Sequence, residues 1–144
     1  MSKKEFNKTG LPKTPRDCIS EAKRYYENAK HIRKSILVKD NTYTDVKTLQ
    51  KACGIGYLSA LFAIDGFLMT KGIKRSELPI SIEGYWDMLE KHAQKNGTLT
   101  RELTVAYQNL HILGYYRGGI DVEMIKSGFK NAKLLIDYFA QFAK

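Results

Sequence analysis

The sequence predicts an all-α fold, an up-and-down antiparallel bundle of four or five helices. Apolar residues recur at spacings of three and four along most of the chain, and no segment sustains the period-two alternation of a half-buried strand. Residues that favour helix N-caps precede the apolar segments. The chain has 144 residues, 43% of them apolar, which suffices for one core. We therefore expect a single helical-bundle domain over residues 14–144, preceded by a basic flexible leader over residues 1–13.

The first predicted helix begins at Thr14, with Pro15 at its first helical position. Its apolar stripe predicts the side that packs into the core, and it consists of Ile19, Ala22, Tyr26, Ala29 and Ile36. The opposite face is basic. Asp40-Asn41 is expected to separate this helix from the next.

The second predicted helix begins near Thr44 and Asp45, and Gly72 ends it. Its core stripe is predicted to consist of Val46, Leu49, Cys53, Ala60, Ile64 and Phe67. Residues 52–70 hold a single charge, Asp65, and their length reaches the lower limit for a membrane span. The charge and three glycines favour a buried central helix and no membrane association. From Tyr57 onward the far side is also apolar, which is typical either of the centre of the bundle or of a subunit interface. In the second case, the candidate homodimer seam consists of Leu58, Phe62 and Met69.

Three further helices complete the expected bundle. Ser81 caps a short third helix, which Asn96-Gly97 is expected to close. Thr98 or Thr100 would cap the fourth, and Asp121 the fifth.

The charge is strongly basic, with 24 Lys and Arg against 15 Asp and Glu, a formal net charge of +9. Most of the excess lies in residues 1–40. This distribution fits an RNA- or DNA-binding surface, or equally a solvated helix face with a basic tail. The candidate nucleic-acid surface consists of Lys23, Arg24, Lys30, Arg33 and Lys34.

The fourth helix carries the strongest candidate ligand site. Tyr107, His111 and Tyr115 stand at i, i+4 and i+8, and Tyr116 and Arg117 follow them. Together with Asp121 across the turn, these residues could stack a base or nucleotide and hold a phosphate. Alternatively, the aromatic residues are half-buried rim residues and Arg117 pairs with Asp121.

Asp65 is the second candidate, because it stands alone in an apolar run. We expect it to form a buried polar pair with a cation such as Arg117 or with a tyrosine hydroxyl. The alternative is an acid of raised pKa that transfers protons.

Several chemistries are disfavoured by the sequence. The three histidines fall on three different predicted helices, so the sequence predicts no metal site, and no motif calls for a cofactor. Cys18 and Cys53 fit small buried hydrophobic residues in a reducing compartment. The first ten residues show no apolar segment of a secretory signal, which predicts a cytoplasmic protein.

The stretch over roughly residues 50–144 resembles HEPN domains. The small-residue helix bearing Tyr57 and ending at Lys71-Gly72 is similar to a helix of that family, and residues 110–117 with 121–142 resemble its closing helix pair. The resemblance implies a bundle, often dimeric, that acts in prokaryotic defence, toxin–antitoxin or nucleotidyltransferase-associated systems. A partner protein encoded nearby is one expected partner.

Catalytic HEPN members are metal-independent RNases that carry an R-x4-6-H motif near the fourth helix. Here no histidine follows Arg117, so the motif is absent from that place. The resemblance therefore favours a non-catalytic binding or accessory module. Two alternatives stay open: an RNase that uses Arg24 with His31 or Arg117 with His111, and a plain protein–protein interaction bundle.

Overall fold

The computed structural model describes residues 11–143, and this part of the chain is mostly helical, as predicted. Helix α1 spans Pro15–Lys34. The Thr14 hydroxyl accepts the backbone N–H of Asp17 at 3.0 Å, which confirms the predicted N-cap. The predicted apolar stripe of α1 is buried. Of the predicted leader, residues 1–10 lie outside the described residues.

A small β-hairpin follows α1 and corrects the purely α-helical prediction. Strand β1 (Val38–Lys39) pairs antiparallel with β2 (Thr42–Tyr43). Asp40 and Asn41 form the turn with φ of +51° and +59°. Two consecutive left-handed residues are the mark of a tight hairpin turn whose twist matches the strands. Two-residue strands are too short to show an alternating pattern in the sequence.

Helix α2, Val46–Thr70, is the central element and begins at Asp45, whose carboxylate accepts the N–H of Thr48 at 3.1 Å. Its predicted core stripe is buried except at Val46, which is 41% exposed. Val46 lies in the first turn, beside the Gly118 turn, rather than over the core. Among the described helices, α2 alone is long and apolar enough to cross a membrane, and most of it is buried within the bundle.

A 3-10 turn at Arg75–Glu77 leads to α3, Ile82–His92, which Ser81 caps as predicted. Helix α4, Asn96–Ala106, then begins three to five residues earlier than expected. Asn96-Gly97 was predicted to close α3 and instead forms the first turn of α4, so neither Thr98 nor Thr100 is the cap. The Asn96 side chain donates to the carbonyl oxygens of Glu90 and Ala93, which joins the end of one helix to the start of the next.

A π-helix continues α4 from Tyr107 to Tyr116. Hydrogen bonds in such a helix run from i to i+5, and π-helical segments are rare and frequent at functional sites. Helix α5, Val122–Ala140, follows a short turn and is capped by Asp121, whose carboxylate accepts the N–H of Met124 at 2.9 Å.

The contacts define an up-and-down arrangement. Cys18 lies against Met69, and Tyr25 lies against Phe62, so α1 and α2 run antiparallel. Tyr115 lies over Gly54, whereas Tyr107 lies beside Tyr57, so the π-helix also runs antiparallel to α2. Phe129 packs on Gly56 and Phe139 on Phe67, which makes α5 parallel to α2. The core therefore forms around α2, with α1, α5 and the π-helix against it.

Candidate functional site

A groove of about 710 Å³ opens between α2, the π-helix and the segment that leads into α3. Most of its lining is apolar or aromatic, as in many sites that bind small organic groups. Its lining residues are Lys51, Gly54, Ile55, Tyr57, Leu58, Leu61, Pro79, Ile80, Ser81, Ile82, Glu83, Tyr85, Tyr107, His111 and Tyr115.

Four aromatic side chains of the groove form a continuous array. The His111 ring stacks on Tyr57 at a centroid distance of 5.0 Å and an angle of 27° between the planes. Tyr115 also stacks with His111, with its centroid 6.0 Å away and its plane rotated by only 10°. The ring centroid of Tyr107 lies 5.5 Å from that of His111. The spacing of Tyr107, His111 and Tyr115 thus places all three on one face of the π-helix.

Close approach of the π-helix to α2 holds this array in place. A Cβ atom on Gly114 would lie 2.4 Å from the Sγ atom of Cys53, so the backbone can pass Cys53 only without a side chain there. A Cβ atom on Gly54 would lie 3.0 Å from the Tyr115 ring. Glycine on each helix therefore lets Tyr115 rest against the backbone of α2.

Asp65 and Tyr85 form a hydrogen-bonded pair beside the groove. The Tyr85 hydroxyl donates to Oδ1 of Asp65 at 2.7 Å. Burial raises the pKa of Asp65 to about 7, and the hydrogen bond from Tyr85 partly opposes that rise. Burial also raises the pKa of the Tyr57 and Tyr85 hydroxyls, so both remain proton donors at neutral pH. The expected partner of Asp65 was either a cation such as Arg117 or a tyrosine hydroxyl, and the structure shows the tyrosine hydroxyl.

The groove rim combines exposed apolar side chains with a cation. Ile80 is fully exposed and Leu58 is 44% exposed. Lys51 is exposed on the same lining, six residues before Tyr57 on α2. A ligand with a flat apolar part and a negative group would match these neighbours.

Comparisons with known proteins identify the family. The sequence profile described as Domain of unknown function (DUF5618) matches residues 17–141. The chain belongs to this family. No curated protein matches the sequence.

A solved structure supports the architecture of this DUF5618 domain. A protein of unknown function from Dyadobacter fermentans is 28% identical, with a TM-score of 0.74. The similarity covers 89% of this chain and 97% of that one. The two chains are therefore similar over nearly the whole domain.

The other predicted members of the ligand site lie apart from the groove. Tyr116 is 69% exposed, and the guanidinium of Arg117 sits 5.3 Å from its ring centroid. Asp121 caps α5 instead of pairing with Arg117. Neither Tyr116, Arg117 nor Asp121 is among the residues that line the groove.

Sequence reasoning missed Tyr57 and Tyr85 as members of this site. Tyr57 lies on α2 and Tyr85 on α3, so only the tertiary fold brings them to the π-helix. The tyrosine at position 57 carried a signal, because it interrupts a row of aliphatic residues with a polar hydroxyl. No spacing rule, however, connects it to His111.

The predicted basic surface of the DUF5618 domain divides into two parts. Lys23, Arg24 and Lys34 are exposed on α1, and Lys30 is half-buried. Arg24 pairs with Glu21 at 2.6 Å, an exposed ion pair within one helix. Arg33 instead turns inward, where its guanidinium lies 4.9 Å from the Phe129 ring centroid.

The predicted dimer seam is also divided. Leu58 lines the groove, whereas the Phe62 ring packs edge-on against Tyr25 at 4.9 Å between centroids. The Met69 sulfur accepts the thiol of Cys18 at 3.7 Å. Phe62 and Met69 therefore serve the contact between α1 and α2, and of the three residues only Leu58 is exposed.

The arginine and histidine pairs considered for ribonuclease chemistry are not joined in the structure. Arg24 and His31 are seven residues apart on α1, which places them about 10 Å apart along the helix axis. His111 lines the groove, whereas Arg117 does not. Within residues 11–143, no group of three or more His, Cys, Asp or Glu side chains could hold a metal ion. Cys18 and Cys53 are free thiols and buried, as predicted.

Proposed function

We propose that this DUF5618 domain is a non-catalytic binding module whose groove takes an unpaired base of single-stranded RNA. The observation that carries the proposal is the array of Tyr57, Tyr107, His111 and Tyr115, which lines one groove and leaves Tyr115 49% exposed. Aromatic faces bind bases of any sequence, because every base offers a flat ring. Each base–aromatic stack contributes about 1–3 kcal/mol to binding.

Electrostatics supports a nucleic acid over a neutral aromatic ligand. Lys51 is exposed on the groove lining, where it can contact a backbone phosphate. The net charge of +9 adds a long-range attraction for polyanions. Glu83 is the one acidic residue among the described lining residues, and stacking on aromatic faces does not distinguish one base from another. We therefore expect binding with little sequence preference.

The resemblance to HEPN domains supports an accessory role in this proposal. The module would act in a prokaryotic defence, toxin–antitoxin or nucleotidyltransferase-associated system, in the cytoplasm and beside a protein encoded nearby. In that role RNA binding would position a partner's substrate, and the domain itself would leave the RNA intact.

The test is a fluorescence-anisotropy titration with a labelled single-stranded RNA of about 12 nucleotides. Tyr115→Ala is expected to weaken binding about tenfold, since one stack is lost. Tyr116→Ala is the matched control, because Tyr116 is the adjacent tyrosine, is more exposed and lies outside the groove. Lys51→Gln should reduce the salt dependence of the RNA affinity by the amount that about one phosphate contact contributes. Lys47→Gln is its control, because Lys47 is also exposed on α2.

Equal losses in the two tyrosine variants would contradict the groove as the RNA site. Incubation of labelled RNA with the wild-type protein separates the ribonuclease alternative. If the wild type cleaves the RNA and His111→Gln does not, the domain is a ribonuclease and not a non-catalytic binding module. Intact RNA after incubation at saturating protein is the expected result.

A second candidate function, a homodimerising interaction module, is favoured by one specific observation. Ile80 is fully exposed next to the groove, and Leu58 is exposed across it. Two copies that pack on this face would cover both side chains. Sedimentation at micromolar concentration should then give a dimer for the wild type and a monomer for Ile80→Ser. A monomeric wild type that still binds RNA would leave only the first function.

A further inference from the structure

A second cavity, of about 650 Å³, lies where α1 ends and α5 begins. The β-hairpin forms its third side, through Val38, Asn41 and Tyr43. It shares no lining residue with the aromatic groove. Whatever it binds is therefore independent of the function proposed above.

Arg33 lines this cavity, and its position is fixed on two sides. The guanidinium lies 4.9 Å from the Phe129 ring centroid, a cation–π distance. Nη1 donates to the Tyr43 hydroxyl at 3.3 Å. Tyr43 is itself 3% exposed, so it provides a rigid acceptor. The guanidinium is thus oriented before any ligand arrives.

The hydrogen bonds of Arg33 are incomplete. Its Nε atom is buried and has no acceptor among the described residues. The ion pairs found within residues 11–143 are Glu21–Arg24 and Lys133–Asp137, so no carboxylate of this part of the chain forms an ion pair with Arg33. Native proteins rarely leave a buried charged donor without a partner, and a bound anion can supply the missing acceptor.

The surroundings of Arg33 add positive charge. Lys34 and Lys126 also line the cavity, and Glu123 is the one acidic residue among its described lining residues. The three cations exceed the single acid by two charges.

We propose that this cavity binds a phosphate group. A phosphate monoester carries about −1.5 to −2 charges at neutral pH, which matches the local excess of two positive charges. The planar fork of a guanidinium also fits two phosphate oxygens better than an ammonium does. Lys34 and Lys126 are both exposed, and they would complete the contacts from solvent.

The phosphate could belong to a small phosphate ester or to a nucleic acid, and the experiment distinguishes these sources. The Nε–Hε resonance of Arg33 is followed by NMR while inorganic phosphate is added to the full chain. Sodium acetate at the same ionic strength tests for a general anion effect. Short RNA with and without a 5′-phosphate then shows whether a terminal or an internal phosphate is bound.

Saturable movement of the Arg33 resonance with inorganic phosphate, and none with acetate, is the expected result. Lys126→Gln should weaken phosphate binding about tenfold, whereas Lys130→Gln, one turn further along α5 and also exposed, should leave it unchanged. Tyr115→Ala should leave it unchanged as well, which separates this site from the groove. Arg33→Lys keeps the charge but removes the followed resonance, so the backbone amide of Tyr43, another lining residue, is followed instead and should show no saturable movement with phosphate.

Three results would overturn the proposal. These are a linear response to phosphate, the same response to acetate, and an unchanged affinity in Lys126→Gln. Because Lys126 is exposed, its substitution keeps the test decisive even if Arg33→Lys fails to fold. A response to both RNAs identifies a backbone phosphate, and a response to the phosphorylated RNA alone identifies a terminal one.

Discussion

The Tyr85 hydroxyl donates to the Asp65 carboxylate at 2.7 Å and thereby joins α3 to the central helix α2. Tyr85 lines the aromatic groove, so the same side chain shapes the site and anchors it. The carboxylate is in an apolar setting, and its pKa is raised from 3.8 to about 7. Ionisation of Asp65 is therefore unfavourable, and this carboxyl group lies next to a residue that lines the groove.

The raised pKa of Asp65 predicts a pH-dependent free energy of unfolding. Between about pH 4 and pH 7 the folded chain keeps a proton on Asp65 that the unfolded chain has lost, so stability falls as pH rises through this window. Asp65→Asn removes this dependence and should stabilise the protein by up to about 4 kcal/mol at pH 8. Urea unfolding at several pH values measures the difference between the two proteins. Asp87→Asn, an exposed acid on α3, should keep the wild-type slope.

The crossing of α2 and the π-helix predicts a strong effect of Gly114→Ala. The added methyl group would lie 2.4 Å from Cys53 Sγ, and such overpacking should cost about 2 kcal/mol. Gly97→Ala is the control, because no atom lies within 4 Å of its added Cβ, and it should stabilise α4 by about 0.5 kcal/mol. Combining Gly114→Ala with Cys53→Ala should cost less than the sum of the two changes. Strict additivity in denaturant unfolding would contradict this contact.

The hairpin turn predicts opposite effects of two substitutions at Asp40. Its φ of +51° suits glycine, whereas a β-branched residue is strained there by about 1–2 kcal/mol. Asp40→Gly should therefore raise the melting temperature or leave it unchanged, and Asp40→Val should lower it. Equal melting temperatures for the two variants would argue against a left-handed residue at this position.

Burial of the two thiols predicts slow chemical labelling. Desolvation raises the pKa of both Cys18 and Cys53 to about 12, so the thiolate is scarce at pH 8. A thiol-reactive disulfide reagent should modify the folded protein much more slowly than the chain in urea. Rapid labelling of one thiol in the absence of denaturant would show that its helix opens easily.

Phe62 and Leu58 of the predicted dimer seam have different surroundings, so their alanine variants should differ in folding stability. Phe62→Ala removes the ring that packs against Tyr25 and should cost about 2 kcal/mol of folding stability. Leu58→Ala removes a side chain that is 44% exposed and should cost less than about 1 kcal/mol. Thermal unfolding distinguishes the two. A larger loss at Leu58 would place that residue in a buried interface.

Local sequence signals predicted most helix starts. Thr14, Asp45, Ser81 and Asp121 each cap the helix expected of them, because a cap depends on hydrogen bonds only three residues away. Asn96-Gly97 misled the prediction, since a pair that commonly ends helices can also occupy an exposed first turn. The π-helix was missed because its apolar spacing also satisfies an ordinary helix.

The candidate site was predictable only where its members share one helix. Tyr107, His111 and Tyr115 follow from their spacing and do share a face. Tyr57 reaches them through tertiary packing, which no local pattern encodes. Arg33 was expected on the solvent face of α1, and its inward turn depends on Phe129 and Tyr43 from distant parts of the chain.

The hairpin also ties the first half of the chain to the last helix. Tyr43 donates its N–H to Ile120, and Val122 donates to Asn41, so the turn before α5 continues the ladder of the hairpin. During synthesis α1 and α2 emerge first, yet the Tyr43 N–H and the Asn41 carbonyl gain these partners only after residues 120–122 have been made. Such a distant pairing favours a cooperative last step of folding, in which this end of the bundle closes only when α5 packs along α2.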